Sequence, residues 1–265
     1  MNVPTDVWAA GQAYEPYIGR WSRLVASRFV AWLAPLSNAR SLDVGCGTGA
    51  LTAAILDAAP RGGVCSLDAS SAYVAFARTR ISDRRASFGA ADAQSLPVRS
   101  ASVDLVASGL MLNFVSEPAR ALAEMRRVVR PGGTVAVYVW DYAGEMQLIR
   151  HFWDAAVELD ARAASLDEGR RFPICSRGAL ERLFLGADLI KVESRTIDVP
   201  TTFRDFADCW DPFLGGQGPA PAYAMSLSDA HCLQLRDRLR SRLPTASDGS
   251  IALIARAWAV RGYRA

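Results

Sequence analysis

Residues 134–140 read Thr-Val-Ala-Val-Tyr-Val-Trp, an almost unbroken apolar and β-prone run that predicts a strand covered on both faces. Shorter apolar runs precede it at 41–44, 63–67, 86–90 and 103–108. Between them lie stretches of helical period: the alanine- and leucine-rich 50–59, then 72–80, then a stripe of Leu122, Met125 and Val129. Ser116 is placed to cap the last of these, with Glu117 and Pro118 in its first turn and Pro131-Gly132-Gly133 as its stop. Strands alternating with helices in this way predict an α/β fold, a parallel sheet with right-handed crossovers.

Beyond residue 140 the pattern loosens. A helix over 144–160 carries Met146, Ile149, Trp153 and Ala156 at helical intervals, 161–177 reads as a connection, and 179–184 as another short helix. Residues 189–199 alternate in part, as an edge strand does, while the apolar 250–260 predicts a covered strand. The intervening 200–249 holds Phe203, Phe206, Trp210, Phe213 and Tyr223, a turn-rich stretch at 215–221, and a helix bearing Leu235, Leu239 and Leu243. Ahead of the first strand, Trp21, Leu24, Val25, Arg28 and Trp32 have helical spacing and predict an amphipathic helix stopped near Pro35. Residues 10–20, with Gly11, Pro16 and Gly19, read as a mobile lid.

The organisation expected is one domain over 1–265: an N-terminal lid and helix (1–35), a core (36–140), cap helices (141–187), and a final strand pair (188–265) interrupted by the insertion 200–249. A chain of 265 residues, 51% of them hydrophobic, can bury a core of that size. The net charge of +3 comes from dispersed arginines with no dense basic run, so no nucleic-acid partner is expected. Five cysteines, an odd number without a Cys-x-x-Cys pair, suggest neither a disulfide framework nor a zinc site and fit a reducing cytoplasm. Neither a signal peptide nor a membrane span is expected, since no apolar run approaches about 18 residues.

The chemistry concentrates where the first strand ends, at Asp43-Val44-Gly45-Cys46-Gly47-Thr48-Gly49-Ala50. A strand breaking into alternating glycines and then a helix is a cradle: glycine accepts positive φ, lacks a Cβ, and lets a ligand approach the first helical N–H groups. Gly45-x-Gly47-x-x-Ala50 also fits the dinucleotide fingerprint with a third small residue. Asp68 follows Gly49 by nineteen residues at the end of the second apolar run, where a carboxylate can take both hydroxyls of a ribose. Asp92 follows the third run, so with Asp43 three carboxylates lie near the carboxyl ends of three successive strands, where open α/β sheets bind ligands.

With these residues the chain resembles the class I S-adenosylmethionine-dependent methyltransferases, particularly the small-molecule branch that includes the quinone C-methyltransferases. The segments that carry the resemblance run in the family's order: Leu42-Asp43-Val44-Gly45-Cys46-Gly47-Thr48-Gly49, Leu67-Asp68-Ala69-Ser70, Ala91-Asp92-Ala93-Gln94-Ser95-Leu96-Pro97, Val103-Asp104-Leu105-Val106-Ala107-Ser108 and Arg130-Pro131-Gly132-Gly133-Thr134. They cover residues 41–140. The resemblance implies a doubly wound, Rossmann-like seven-stranded sheet, six strands parallel and one antiparallel, with helical and loop cap insertions.

It also implies S-adenosyl-L-methionine as cofactor. Gly45, Gly47 and Gly49 would form the turn around methionine and ribose, and Asp43 would act near the amino group through that turn. Asp68, with Ala69 beside it, would accept from the ribose hydroxyls. Asp92 would accept from the adenine amino group, with the Ala93 N–H meeting the ring, and the Ser108 carbonyl would take the ammonium. N-terminal segments of the family often close over the cofactor, which makes Tyr14, Tyr17 and Arg20 candidates: an aromatic face attracts a sulfonium and a guanidinium pairs with a carboxylate. Alternatively these three pack or face solvent.

The methyl acceptor implied is a small, partly apolar molecule methylated at O, N or C, without a metal and mainly by proximity and orientation. After residue 108 the chain lacks the Asn/Asp-Pro-Pro-aromatic motif of amino-methylating nucleic-acid enzymes, it has no Pro-Cys pair, and Asp141 lacks the paired acids of magnesium-dependent catechol-type enzymes. The aromatic insertion is expected to form much of the acceptor pocket, the alternatives being a lid that only packs or a dimer contact. As a base, Asn113 and Asp141 lie beyond the fourth and fifth strands, whereas His151 and His231 fall on predicted helices where packed or surface histidines are commoner. Two other functions fit part of the pattern: a non-catalytic protein that keeps the cofactor fold for binding or regulation, and a nicotinamide-dependent reductase. The reductase would be expected to use a tyrosine four residues before a lysine, and Lys191, the only lysine, has Ala187 there.

Overall fold

A computed structural model of the chain describes residues 15–216 and 218–265. Tyr14 and residues 10–14 of the expected lid lie outside them. The contacts divide the described residues into two compact units, one of Ser22–Trp140, Ile174–Ile197 and Ala257–Ala265, the other of Asp141–Pro173, Asp198–Arg256 and the described residues up to Trp21.

The strands are β1 (Arg40–Val44), β2 (Gly63–Asp68), β3 (Ala86–Ala90), β4 (Val103–Gly109), β5 (Val129–Trp140), β6 (Leu189–Phe203) and β7 (Ile251–Arg264). They form one seven-stranded sheet of order β3-β2-β1-β4-β5-β7-β6, with β7 antiparallel to β5 and the expected six-to-one mixture of directions. The chain winds outward from β1 to β3 and returns to β4 on the other side of β1, so the strand order reverses between β1 and β4. Ligands bind at the carboxyl ends beside such a reversal. Asp43 stands opposite Ser66 on β2 and Ala107 on β4.

Helices α1 (Arg20–Leu33), α2 (Ala50–Ala58), α3 (Ser71–Arg80), α4 (Pro118–Val128) and α5 (Gln147–Leu159) follow the sequence pattern, with corrections in detail. On α1 the buried face is Trp21, Ser22, Val25, Ala26, Phe29 and Val30, whereas Leu24 is 45% exposed. Small Ser22 and Ala26 let that face approach its neighbours, and the guanidinium of Arg261 lies over the Trp32 ring, 4.6 Å from its centroid. Helix α4 is capped by Glu117, with Pro118 as its first residue, because the Ser116 hydroxyl bonds instead to Gln94 Oε1 at 3.1 Å. The turn after α4 belongs to β5: Val129 pairs with Val103, residues 130–133 bulge out, and pairing resumes at Thr134 with Leu105.

In the second unit α5 buries Leu148, Ile149, Phe152 and Trp153. Residues 161–177 are more than a connection, containing helical turns at Ala161–Ser165 and Glu168–Arg171. Asp160 and Asp167 start them by accepting from the N–H groups of Arg162 and Gly169 at 2.9 and 2.8 Å. Glu168 is buried and accepts from the Trp153 indole N–H; burial pushes its carboxyl up to about 7. Helix α6 (Arg177–Gly186) lies in the first unit, and α7 (Phe206–Trp210), α8 (Pro219–Ser226) and α9 (Asp229–Arg242) complete the second. Phe213 stacks on Phe152 at 4.5 Å, Trp210 and Phe203 are buried, and Leu235 and Leu239 of α9 are fully covered. The insertion's aromatic rings are thus spent largely on packing their own unit.

Candidate functional site

The β1–α2 connection turns on three glycines, Gly45, Gly47 and Gly49, with φ of +77°, +51° and +89°. Two of them have a second constraint. A Cβ at Gly45 would run into the Met111 side chain, and one at Gly49 would lie 2.6 Å from Ile81 Cδ1. The N–H groups of Gly45 and Cys46 both donate to the Leu67 carbonyl, at 2.7 and 3.0 Å, which ties the turn to the end of β2.

Asp68 ends β2 and completes that tie. Its Oδ2 accepts from the Gly47 N–H at 2.9 Å and its Oδ1 from the Ser70 N–H at 2.8 Å. Burial raises its carboxyl above the ordinary value, and the Ser70 and Gly47 hydrogen bonds oppose the rise. An ionised carboxylate has about four acceptor positions, so two remain for a ligand.

Asp43 lies beneath the turn and is fully buried. Its Oδ2 accepts from the Thr52 hydroxyl at 2.6 Å, Thr52 meets the Ser66 hydroxyl at 2.9 Å, and Oδ1 has no partner. Burial is the main cause that pushes this carboxyl up to about 7, with the Thr52 hydrogen bond acting against it and the Asp68 charge adding to it. Burial and the same two acids raise the Cys46 thiol far above its ordinary range, so it is no nucleophile.

Past β3, Asp92 is exposed and accepts from the Gln94 N–H at 2.8 Å; that bond and the Gln94 side chain hold its carboxyl below the ordinary value. The loop after it is anchored from α4. Arg120 donates to the Gln94 carbonyl at 3.0 Å, Arg127 to the Leu96 and Val98 carbonyls at 3.0 and 2.9 Å, and Glu124 accepts from the Leu96 N–H at 2.9 Å.

These elements enclose a cavity of about 340 Å³, within the range of small-molecule sites. Of the sequence candidates, Gly45, Asp68, Ala69, Asp92 and Ala93 line it. Gly47, Gly49, Asp43 and Ser108 do not; the last two are wholly buried and belong to its supporting layer. The opposite wall comes from Met111, Phe114, Val115 and Ser116, which sequence reasoning passed over. The available signal was Gly109, which marks a turn at the carboxyl end of β4, and the apolar run after it.

Arg20, Asp141 and His151 belong to the second unit, where each already has an environment of its own. Arg20 pairs with Asp208 at 3.0 Å and lies over the Trp21 and Phe203 rings, 4.5 and 5.0 Å from their centroids. Asp141 is buried and its Oδ2 accepts from the Glu145 N–H at 3.0 Å, shaping the turn before α5. Burial, then the Arg242 charge, lowers the His151 imidazole below its ordinary value. Asn113 remains with the cavity's unit, in the turn Leu112–Phe114.

Comparison with known proteins agrees with this geometry. Residues 42–137 match the family described as "Methyltransferase domain". A malonyl-[acyl-carrier protein] O-methyltransferase of Hahella chejuensis is 38% identical over 92 residues, 35% of this chain and 33% of that one. A demethylmenaquinone methyltransferase of Roseiflexus sp. (strain RS-1) is 39% identical over 107 residues, 40% of this chain and 45% of that one. The chain therefore spans a third to a half of the length of these relatives. Among solved structures, a Haemonchus contortus phosphoethanolamine N-methyltransferase 2 in complex with S-adenosyl-L-methionine superposes with a TM-score of 0.61 at 16% identity, over 98% of this chain and 58% of that one. The resemblance to the S-adenosylmethionine-dependent methyltransferases is thereby shown, and in sequence it is concentrated in residues 42–137, the segment that builds the cavity.

Proposed function

We propose that the chain is an S-adenosyl-L-methionine-dependent methyltransferase acting on a small, partly apolar acceptor. One observation carries the reading: Gly45, Asp68 and Asp92, from three successive strand ends, line a single cavity. Its residues fit the cofactor. The orphan Oδ1 of Asp43 beneath the turn suits a cationic methionine end, and the Asp68 acceptor positions left over suit a ribose. Asp92 and the Ala93 N–H would hold the adenine, and the Ser108 carbonyl the ammonium. Bound S-adenosylmethionine supplies an activated methyl group on a cationic sulfur.

The work left to the chain is to place the acceptor atom in line at about 3–3.5 Å and to keep water away. No covalent nucleophile is needed, in keeping with the unreactive Cys46 thiol. Among the described residues no cluster of three or more His, Cys, Asp or Glu could hold a metal ion. No helix among them is long and apolar enough to cross a membrane.

Calorimetric titration with S-adenosylmethionine, with NADH and NADPH as parallel controls, tests the cofactor. Micromolar binding of the first alone is expected. Tighter binding of a nicotinamide, or no binding of S-adenosylmethionine, removes the proposal.

A further inference from the structure

The loop after β3 meets the wall after β4 through a polar chain whose middle member the cofactor reading does not use. Asp92, Gln94 and Ser116 all line the cavity. The Gln94 side-chain amide joins the other two: Nε2 donates to both Asp92 oxygens, at 3.2 and 3.3 Å, and Oε1 accepts from the Ser116 hydroxyl at 3.1 Å. An ionised carboxylate only accepts, so Asp92 fixes which way round the amide lies. The backbone of Gln94 is engaged as well, its N–H on Asp92 Oδ1 at 2.8 Å and its carbonyl on Arg120 Nε at 3.0 Å.

What this residue holds in place is an exposed carboxylate. Left alone, such a side chain samples several rotamers, and ordering it at the moment of binding costs free energy. Clamped by Gln94, Asp92 is ordered in advance and kept ionised, its carboxyl held below the ordinary value by the two Gln94 donors. Two of the three bonds fall on Oδ1 and Oδ2 receives only the longest, which leaves Oδ2 with acceptor positions to spare. We propose that Gln94 is a positioning residue for the cofactor's base: by fixing Asp92 it makes the cavity select a purine with an exocyclic amino donor over one without it. Ser116 supports it from the entrance to α4 by orienting the amide. The inference rests on the cofactor reading above.

The full chain is titrated calorimetrically with S-adenosylhomocysteine and with its 6-deamino analogue, which keeps the purine ring nitrogens and lacks only the amino group. The unsubstituted chain is expected to bind the amino form at least about tenfold more tightly, since a hydrogen bond to a charged group is at stake. Gln94→Leu should cut that preference at least about threefold and leave the affinity for the 6-deamino analogue unchanged, whereas a loss of packing weakens both. Ser116→Ala should act in the same direction by less, and gives a second reading if the leucine variant does not fold. In an Asp92→Ala background Gln94→Leu should change neither affinity, because it acts through the carboxylate. No preference in the unsubstituted chain, a preference untouched by Gln94→Leu, an equal loss of both affinities, or an effect that persists without Asp92 overturns the proposal. Failure of S-adenosylhomocysteine to bind the unsubstituted chain is a different result: it strikes the cofactor reading, and this proposal falls with it.

Discussion

Replacing Asp43 by asparagine isolates the buried carboxyl under the glycine turn. Its carboxyl is raised from 3.8 to about 7 in the folded chain, so between those values the folded state keeps a proton that the unfolded state has lost. Stability from this group is therefore whole below pH 3.8, falls as pH rises, and is gone above about 7. The full difference is about 4 kcal/mol at 1.36 kcal/mol per pH unit, an order-of-magnitude figure. Asparagine keeps the acceptor for the Thr52 hydroxyl but cannot ionise. It also leaves an amide N–H where Oδ1 is already orphaned, at a cost of about 1–3 kcal/mol that does not vary with pH.

The variant should thus be the less stable protein at pH 4.5 and lose that disadvantage, or reverse it, by pH 8. Urea unfolding at half-unit steps of pH gives both curves. Their difference is the quantity to read, because Glu168, whose carboxyl is also raised but which does not interact with Asp43, contributes equally to both proteins and cancels. Parallel curves across the whole range would show that Asp43 titrates alike in the folded and the unfolded chain, and the account of a buried carboxyl raised beneath the turn would be refuted.

Other substitutions read other parts of the site. Asp68→Ala should weaken S-adenosylmethionine binding by more than about 1 kcal/mol in calorimetry, since a charge-assisted pair of hydrogen bonds is lost; an unchanged affinity removes Asp68 from the site. Gly45→Ala combines a φ of +77° with collision against Met111 and should cost about 1–3 kcal/mol in urea unfolding, of which a second change, Met111→Ala, should recover only a fraction, since the Met111 Cβ it keeps is also in the way. In the second unit Glu168→Gln should flatten a change in Trp153 emission that the parent chain shows as pH rises through about 7, because the carboxyl that accepts from the indole no longer ionises. An identical emission profile in both proteins would mean that Glu168 does not titrate there.

What the sequence disclosed and what it withheld divide along physical lines. The strands and the glycine turn were readable because their causes are local: an apolar run such as 134–140 needs two covered faces, and three glycines in five residues have few uses except positive φ, which all three adopt. The face of α1 was misread because its burial is set by partners distant in sequence. Leu24 is apolar but has nothing to pack on, while Ser22 and Ala26 are buried for being small. The cap of α4 was misassigned for a similar reason, since Ser116 had a competing partner, Gln94, twenty-two residues earlier.

The candidate site shows the same division more sharply. Asp68 and Asp92 could be placed from strand ends alone, but the wall of Met111, Phe114 and Val115 has no chemistry to advertise it; those residues matter for where β4 delivers them. Arg20 is the converse case. A guanidinium ahead of the first strand suggested a carboxylate partner, and it has one, but the carboxylate is Asp208 of the chain itself. Charge finds its nearest complement in the folded chain, and sequence separation, here 188 residues, conceals which complement that is. A polar group whose complement the fold does not supply is therefore the more informative sign of a ligand, and Asp43 Oδ1 is such a group in the unit that holds the cavity.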